Sequence, residues 1–346
     1  MSETNEREPL LPRSVYSGQS AQSDSHVHLP SSRVQILYMS GSSDLQQPIY
    51  LRACHSSYRL INQKLLLFLR LLLTGYLSAV SGISLKYKLE SVDEHTPWRI
   101  PFQFSTVAFC LQWTWNLQMT VWTAMHLIFP KAVEVDPAEC HGHRARAYIL
   151  RFFSPPTRSN CAITKYSFSM YYTVAHVFPL MNTVMYWAVL VPAGHGGFKP
   201  PSMPHSHPIS PPNANVTIAA YSPDKGLFED PIKAFSIINV WSITSVIAFI
   251  EMTLLNSIRR QTPVAVHIAG VMVSSAAYLA WAGLGKLITG HAGVFFLDPE
   301  LMRGAPESII AACIAFVGVS PGFLSYMYGL IAMREAMAAV QHDSSY

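Results

Sequence analysis

Residues 65–85 read LLLFLRLLLTGYLSAVSGISL. Arg70 is the one charged side chain in these 21 positions; the rest are apolar, small or hydroxylic. A helix rises about 1.5 Å per residue and the hydrocarbon core of a bilayer is about 30 Å thick, so a run of this length can cross it. Five further runs of similar length follow: Phe102–Phe129, Phe168–Val191, Ala234–Leu255, Val264–Ile288 and Ile309–Met333. Backbone polar groups in hydrocarbon must be satisfied within their own segment, which leaves helices as the structure for such runs. The expected fold is therefore all-α: a polytopic membrane protein whose six transmembrane helices form a bundle over residues 61–335. Residues 1–60 are expected to be a disordered cytosolic tail and residues 336–346 a short cytosolic C-terminus.

Composition agrees. The 346 residues are 50% hydrophobic and 13% charged, against roughly 25% charged in an ordinary soluble domain. A soluble enzyme of this length is excluded. No basic stretch followed by an apolar core precedes the first run, so it is expected to be retained as a signal anchor.

The charges are unevenly placed. Arg7, Arg13, Arg33, Arg52, Arg59 and Lys64 precede the first run; Lys131, Arg144, Arg146, Arg151, Arg158 and Lys165 lie between the second and third. Arg259, Arg260 and Arg334 bring that side to fifteen. The alternate segments hold seven: Lys86, Lys88, Arg99, Lys199, Lys225, Lys233 and Arg303. The excess of Lys and Arg on one side predicts that both termini are cytosolic; the membrane is expected to be an endomembrane, of the endoplasmic reticulum, vacuole or endosome. The sequon Asn215-Val216-Thr217 then falls in a lumenal loop, as glycosylation requires. The net charge of +4 follows from this bias and needs no nucleic-acid partner. Cys54, Cys110, Cys140, Cys161 and Cys313 lie in expected cytosolic segments or inside runs, so no disulfide framework is expected.

Three short features have both a bland and a functional reading. Glu6-Arg7-Glu8-Pro9-Leu10-Leu11 fits the acidic dileucine pattern of a sorting signal for a clathrin adaptor, carried by Leu10 and Leu11; the bland reading is a chance Leu pair in a polar tail. Cys140-His141-Gly142-His143 has no second Cys/His pair to complete a tetrahedral zinc site, and His205 and His207 sit in a Pro-rich loop, so neither metal nor cofactor is expected. Among ionisable groups inside runs, Arg70 and Lys286 are expected to snorkel toward headgroups. Glu251 and His267 are expected to pair with Arg259 and Arg260 across a short hairpin.

The second run is the least ordinary. At 100° per residue, Thr106, Gln112, Trp113, Asn116, Thr120 and Thr123 fall within an arc of about 120°. That stripe must point into the bundle, where it either bonds to neighbouring helices or lines a cavity. Tyr172, His176 and Thr183 share a face of the third run, with Pro179 as a kink. Ala276, Ala280 and Gly283 have the spacing of a close helix contact. Membrane lipid is the expected ligand, bound by Gln112, Asn116, Thr120, His176, Trp241 and Thr244.

Between Ile238 and Pro299 stand Glu251-Met252, Arg260-Gln261-Thr262-Pro263 with His267, Tyr278-Leu279-Ala280-Trp281, and Gly290 followed by Phe296-Leu297-Asp298-Pro299. In these pieces the chain resembles the androgen-induced membrane protein family, as a divergent member. Phe104-Ser105-Thr106, Phe178-Pro179 and Tyr186-Trp187 extend the resemblance to about residues 60–335. Some members hydrolyse fatty acid esters of hydroxy fatty acids with a Thr nucleophile and a His base. The resemblance puts Thr106 at the nucleophile and Trp241 where the histidine would stand. Indole cannot accept a proton, so the implied mechanism lacks its base. By helical rise Thr106 and Trp241 lie roughly 6 Å and 10 Å inside the same leaflet. Neither His176, near the other surface, nor His291, at the mouth, is a ready substitute. Three functions stay open: a non-catalytic lipid-binding or interaction protein, a Thr106-dependent lipid-ester hydrolase, and a transporter. No inverted repeat supports the last.

Overall fold

A computed structural model describes residues 49–58, 60–91, 97–129, 150, 152–156, 161–192, 231–298 and 306–343. Leu10, Leu11, Asn215, the Cys140–His143 cluster, His205, His207 and most of the expected disordered tail lie outside the described residues. Among the described residues every regular element is helical.

After a short helix α1 (Ile49–Ala53), α2 runs from Gln63 to Ser91. Its start is set by Asn62, whose Oδ1 accepts a hydrogen bond from the Leu65 N–H at 2.8 Å, the usual service of a polar N-cap. A 3-10 turn, Pro97–Phe102, leads into α3 (Phe104–Ile128). Helix α4 spans Ala162–Leu190, continuous through Pro179, with its last six residues in π geometry. Helix α5 (Pro231–Leu255) contains two π segments, Asn239–Ile243 and Glu251–Leu255. Helix α6 (Val264–Thr289) is stopped by Gly290, whose φ of 75° suits a residue without a Cβ. Helix α7 covers Pro306–Asp343.

Five of these, α2 and α4 to α7, are long and apolar enough to cross a membrane. The chain is an all-helical, multi-pass membrane bundle. The expected second run does form a 25-residue helix, but it falls short in hydropathy because Gln112, Asn116 and its threonines occupy positions that the other helices give to Leu, Ile or Val. Its place explains the composition. Helix α3 packs against α2 and α4, and α4 is also in contact with α5, α6 and α7. The other helices turn apolar faces outward, among them Phe68, Leu71 and Leu72 on α2, Val273 and Leu287 on α6, and Ile314 on α7. Contiguous exposure of this kind is what helices facing lipid present.

The core is aromatic. Phe104 packs against Phe178, Tyr278 and Phe316 with ring centroids 4.8–5.3 Å apart, and Trp115 packs among Phe168, Tyr172 and His176. Ala276 and Ala280 are exposed, and a Cβ added at Gly283 would meet nothing, so this stripe is not a helix contact. The close approaches on α6 occur at Gly270, against Tyr166 and Met170, and at Gly285, against Phe102.

One end of the bundle is fastened by two buried arginines. Arg70 does not snorkel: it is 0% exposed and donates to the carbonyls of Ala53 (2.6 Å), Leu255 (2.6 Å) and Met119 (3.2 Å) and to the Thr123 hydroxyl. Arg334, 1% exposed, donates to Met252 O at 2.8 Å, to Asn256 O at 2.9 Å, to Asn256 Oδ1 at 2.8 Å and to the Ile258 carbonyl. These acceptors include the last carbonyls of α5, which have no intrahelical donor and carry the negative end of the helix dipole. A fixed guanidinium satisfies several at once. Ser56 and Ser57 add bonds to Leu254 O and Asn256 O, and Ser257 returns one to Arg52 O, so the segment before α2 is stitched onto the same end.

The expected Glu251/His267 pairing with Arg259 and Arg260 does not occur. Arg260 pairs with Glu335 at 3.6 Å, and His267 Nε2 meets Ser169 Oγ at 2.8 Å. Glu251 is turned inward, beside Asn256 and Trp115 and within the field of Arg70, with neither oxygen in full hydrogen-bonding geometry. Helix α5 ends in a π segment and then an extended Asn256, which rotates Glu251 away from the hairpin.

Candidate functional site

Lys88 lies 18 residues along α2 from Arg70, about 27 Å away along the helix axis. At that end α2 continues six residues past the expected Leu85, so a lysine counted as a loop charge stands on the last helical turns. Its ammonium turns inward, donating to Gln103 Oε1 at 2.8 Å and to Thr106 Oγ1 at 3.0 Å. Gln103 is the N-cap of α3, with extended backbone, and its side chain serves Lys88 instead of capping the helix. Lys86, two residues earlier, points outward and pairs with Glu90 at 3.7 Å.

Beside this junction is a cavity of about 230 Å³. Lys88, Gln103 and Ser105 form its polar side; Met185, Leu190, Trp241, Val294 and Phe295 supply apolar wall. Each wall has a reason to be where it is. Trp241 sits in the first π segment of α5, where the extra residue in the turn redirects side chains. Its ring stacks on Tyr186 at 4.7 Å, and its carbonyl accepts from the Thr183 hydroxyl. Trp187 Nε1 donates to Ser242 Oγ at 2.7 Å and ties the same stretch of α4 to α5.

The remaining wall is the chain after α6. Tyr278 donates its hydroxyl to Phe102 O at 3.0 Å, and Lys286 Nζ donates to Leu297 O at 2.9 Å. Gly293 passes so near the Phe102 carbonyl that a Cβ there would lie 2.2 Å from the oxygen. The strap therefore needs glycine at that position to hold Val294 and Phe295 against the cavity.

Of the residues expected to bind lipid, Trp241 lines this cavity. Gln112, Asn116, Thr120, Thr244 and His176 do not; all are buried within the bundle. Thr120 Oγ1 meets Thr74 Oγ1 at 2.8 Å and donates to Asn116 O at 2.7 Å. Asn116 Nδ2 donates to Gln112 O, and Thr244 Oγ1 to Val240 O. His176 Nδ1 is bonded to Tyr172 O at 2.7 Å. The stripe on α3 thus faces inward as its periodicity implies, and it serves largely as adhesive to α2. Thr106 is set one step behind the cavity wall, held by Lys88. His291 is exposed and bonds locally with Thr289.

Sequence reasoning missed Lys88 and Ser105. A signal was present: Lys88 lies near the end of a long apolar run, where a lysine can fold inward as easily as outward. Among the described residues no group of three or more His, Cys, Asp or Glu could hold a metal ion. Cys54, Cys110, Cys161 and Cys313 are free thiols. No family model, curated protein or solved structure matches the chain.

Proposed function

We propose that this chain is an integral membrane protein that binds an amphipathic membrane lipid, without turning it over, in the cavity between Lys88 and Trp241. The observation that carries this reading is the division of that cavity into a polar side and an apolar side at the end of the bundle. An amphiphile has that same division. The volume is below the roughly 300–1,000 Å³ of ordinary small-molecule pockets, so the site takes the head and first methylenes and leaves the chains in the bilayer. Trp241 supports the non-catalytic reading, because the resembling enzymes place a histidine there.

A second reading, a Thr106-dependent ester hydrolase, is favoured by the 3.0 Å contact of Lys88 with Thr106. A neutral amine there would accept the Thr106 proton as Oγ1 attacks an ester carbonyl and return it to the departing alkoxide, which leaves as the alcohol; water would then hydrolyse the acyl-threonine to the free acid and restore the Thr106 hydroxyl. Thr106 is not among the residues that line the cavity, so an ester held there would not lie against its hydroxyl. Binding is the preferred reading for that reason.

The Lys and Arg distribution supports an orientation with both termini cytosolic, Asn215 on the opposite side and Leu10-Leu11 open to an adaptor, as in an endomembrane protein. The binding reading is tested by quantifying lipid that co-purifies with the wild type and with Met185→Trp, which fills the cavity. One enriched lipid class should be lost in the variant; equal recovery from both would refute it. For the hydrolase, ester turnover that disappears in Thr106→Ala would reverse the preference.

A further inference from the structure

Among the described residues the charge at the cavity's polar side is of one sign. Lys88 reaches it, and Arg99 lies close enough to act on Lys88 electrostatically. Among the described residues neither cation has a carboxylate within ion-pair distance, although Lys86 and Arg260 each have one. Like charges that act on one another repel, and an anion between them would relieve that repulsion.

The start of α3 adds to this. Phe104 and Ser105, its first two residues, both line the cavity, and the N-cap contributes no side-chain bond to their N–H groups. A helix N-terminus carries partial positive charge and outward-facing donors, an arrangement suited to phosphate. Ser105 points to a ligand independently: it is 3% exposed, lines the cavity, and among the described residues its hydroxyl has no hydrogen-bond partner. A hydroxyl that lines the cavity and makes no other hydrogen bond among the described residues is free to donate to an acceptor held there.

We infer that the head held here is a phosphate, carried by a lipid phosphomonoester such as a phosphatidate. This rests on the lipid-binding reading above and specifies the head that reading leaves open. Donors converge from Lys88, from Ser105 and from the first turn of α3. A phosphate offers three terminal oxygens and up to two charges to such a set, where a carboxylate offers two oxygens and one charge. Lys88 has three N–H donors and uses two, on Gln103 and Thr106; the third is for the ligand.

The test uses the full-length protein in nanodiscs doped with phosphatidate, diacylglycerol or oleate, with retention read by native mass spectrometry and inorganic phosphate added as competitor. Phosphatidate should be retained over the other two. Lys88→Met should lower its retention at least about tenfold, the factor for losing one charge-assisted hydrogen bond. Ser105→Ala should lower it by about threefold, and Lys88→Arg and Lys86→Met should keep most of it. Because Lys88→Met also removes contacts to Gln103 and Thr106, thermal unfolding of each variant accompanies the measurement, and the Ser105→Ala result stands without it. Equal retention of diacylglycerol, with Lys88→Met silent, would overturn the phosphate head while leaving lipid binding intact. Retention of none of the three would overturn both. Preference for oleate, or displacement of phosphatidate by inorganic phosphate alone, would also overturn the inference.

Discussion

Arg334 donates to Met252, Asn256 and Ile258, and Arg70 to Ala53, Met119, Thr123 and Leu255. Each guanidinium joins chain segments that are far apart in sequence. Hydrogen bonds to a charged donor contribute about 1.5–3 kcal/mol each, and the carbonyls left behind would be buried without a donor. Arg334→Met should therefore destabilise the protein by at least about 3 kcal/mol, measured by reversible unfolding in mixed micelles. Arg260→Ala, which breaks a largely exposed pair with Glu335, should cost no more than about 1 kcal/mol. A smaller loss for Arg334 than for Arg260 would show that the buried network is not the fastening described. Composition exposed Arg70 as an anomaly, but not its role: the acceptors are backbone carbonyls at the ends of distant segments, and carbonyls have no signature in a sequence. Lys88 has the same history, since a lysine at a helix end reads as a loop charge until the helix is seen to continue beneath it.

Helix α3 is where periodicity was most informative and still incomplete. The arc from Thr106 to Thr123 identified the inward face, and the helix presents that face to the bundle. Whether such a face adheres or binds depends on the neighbour's residues at the same height, and Thr74 opposite Thr120 is a matter of helix pairing, not of pattern. The two kinds of polar residue on it should behave oppositely. Gln112 is 0% exposed and, among the described residues, neither its amide nitrogen nor its oxygen has a partner, so Gln112→Leu should be neutral or stabilising. Thr120→Val removes the bonds to Thr74 and Asn116 and should cost about 1 kcal/mol. Neither change should alter lipid recovery, because neither residue touches the cavity. Gly293→Ala should alter it, since the added methyl would push the strap from Phe102 and carry Val294 and Phe295 with it. Recovery unchanged in Gly293→Ala but reduced in Gln112→Leu would relocate the site to the bundle interior.

At the scale of the whole molecule, length and composition of the apolar runs were enough to mark the helices, because hydrocarbon permits so few alternatives for a backbone. The small-residue stripe on α6 misled for the opposite reason: spacing alone does not say which side of a helix is covered, and the lipid-facing side has the same 3.6-residue period. Sidedness can be tested at two thiols outside the spans. Cys161 is exposed at the head of α4, where hydrogen bonds from Thr164 and Ile163 hold its thiol below the ordinary range; Cys54 is buried and pushed up to about 12 by desolvation, which the nearby Arg70 only partly offsets. Thiolate is the reactive form. In sealed vesicles with the cytosolic face outward, an impermeant maleimide should label Cys161 at neutral pH, more slowly as pH falls, and should leave Cys54 unmodified. Labelling of Cys161 only after permeabilisation would invert the proposed topology. The central claim, that lipid sits between Lys88 and Trp241, is tested most directly by a photoactivatable lipid analogue with its reactive group near the head, its adducts mapped by peptide sequencing. Adducts should concentrate on Met185, Leu190, Trp241 and Phe295. Adducts spread over the outward faces at Leu72, Val273 and Ile314, with none in the cavity, would contradict it.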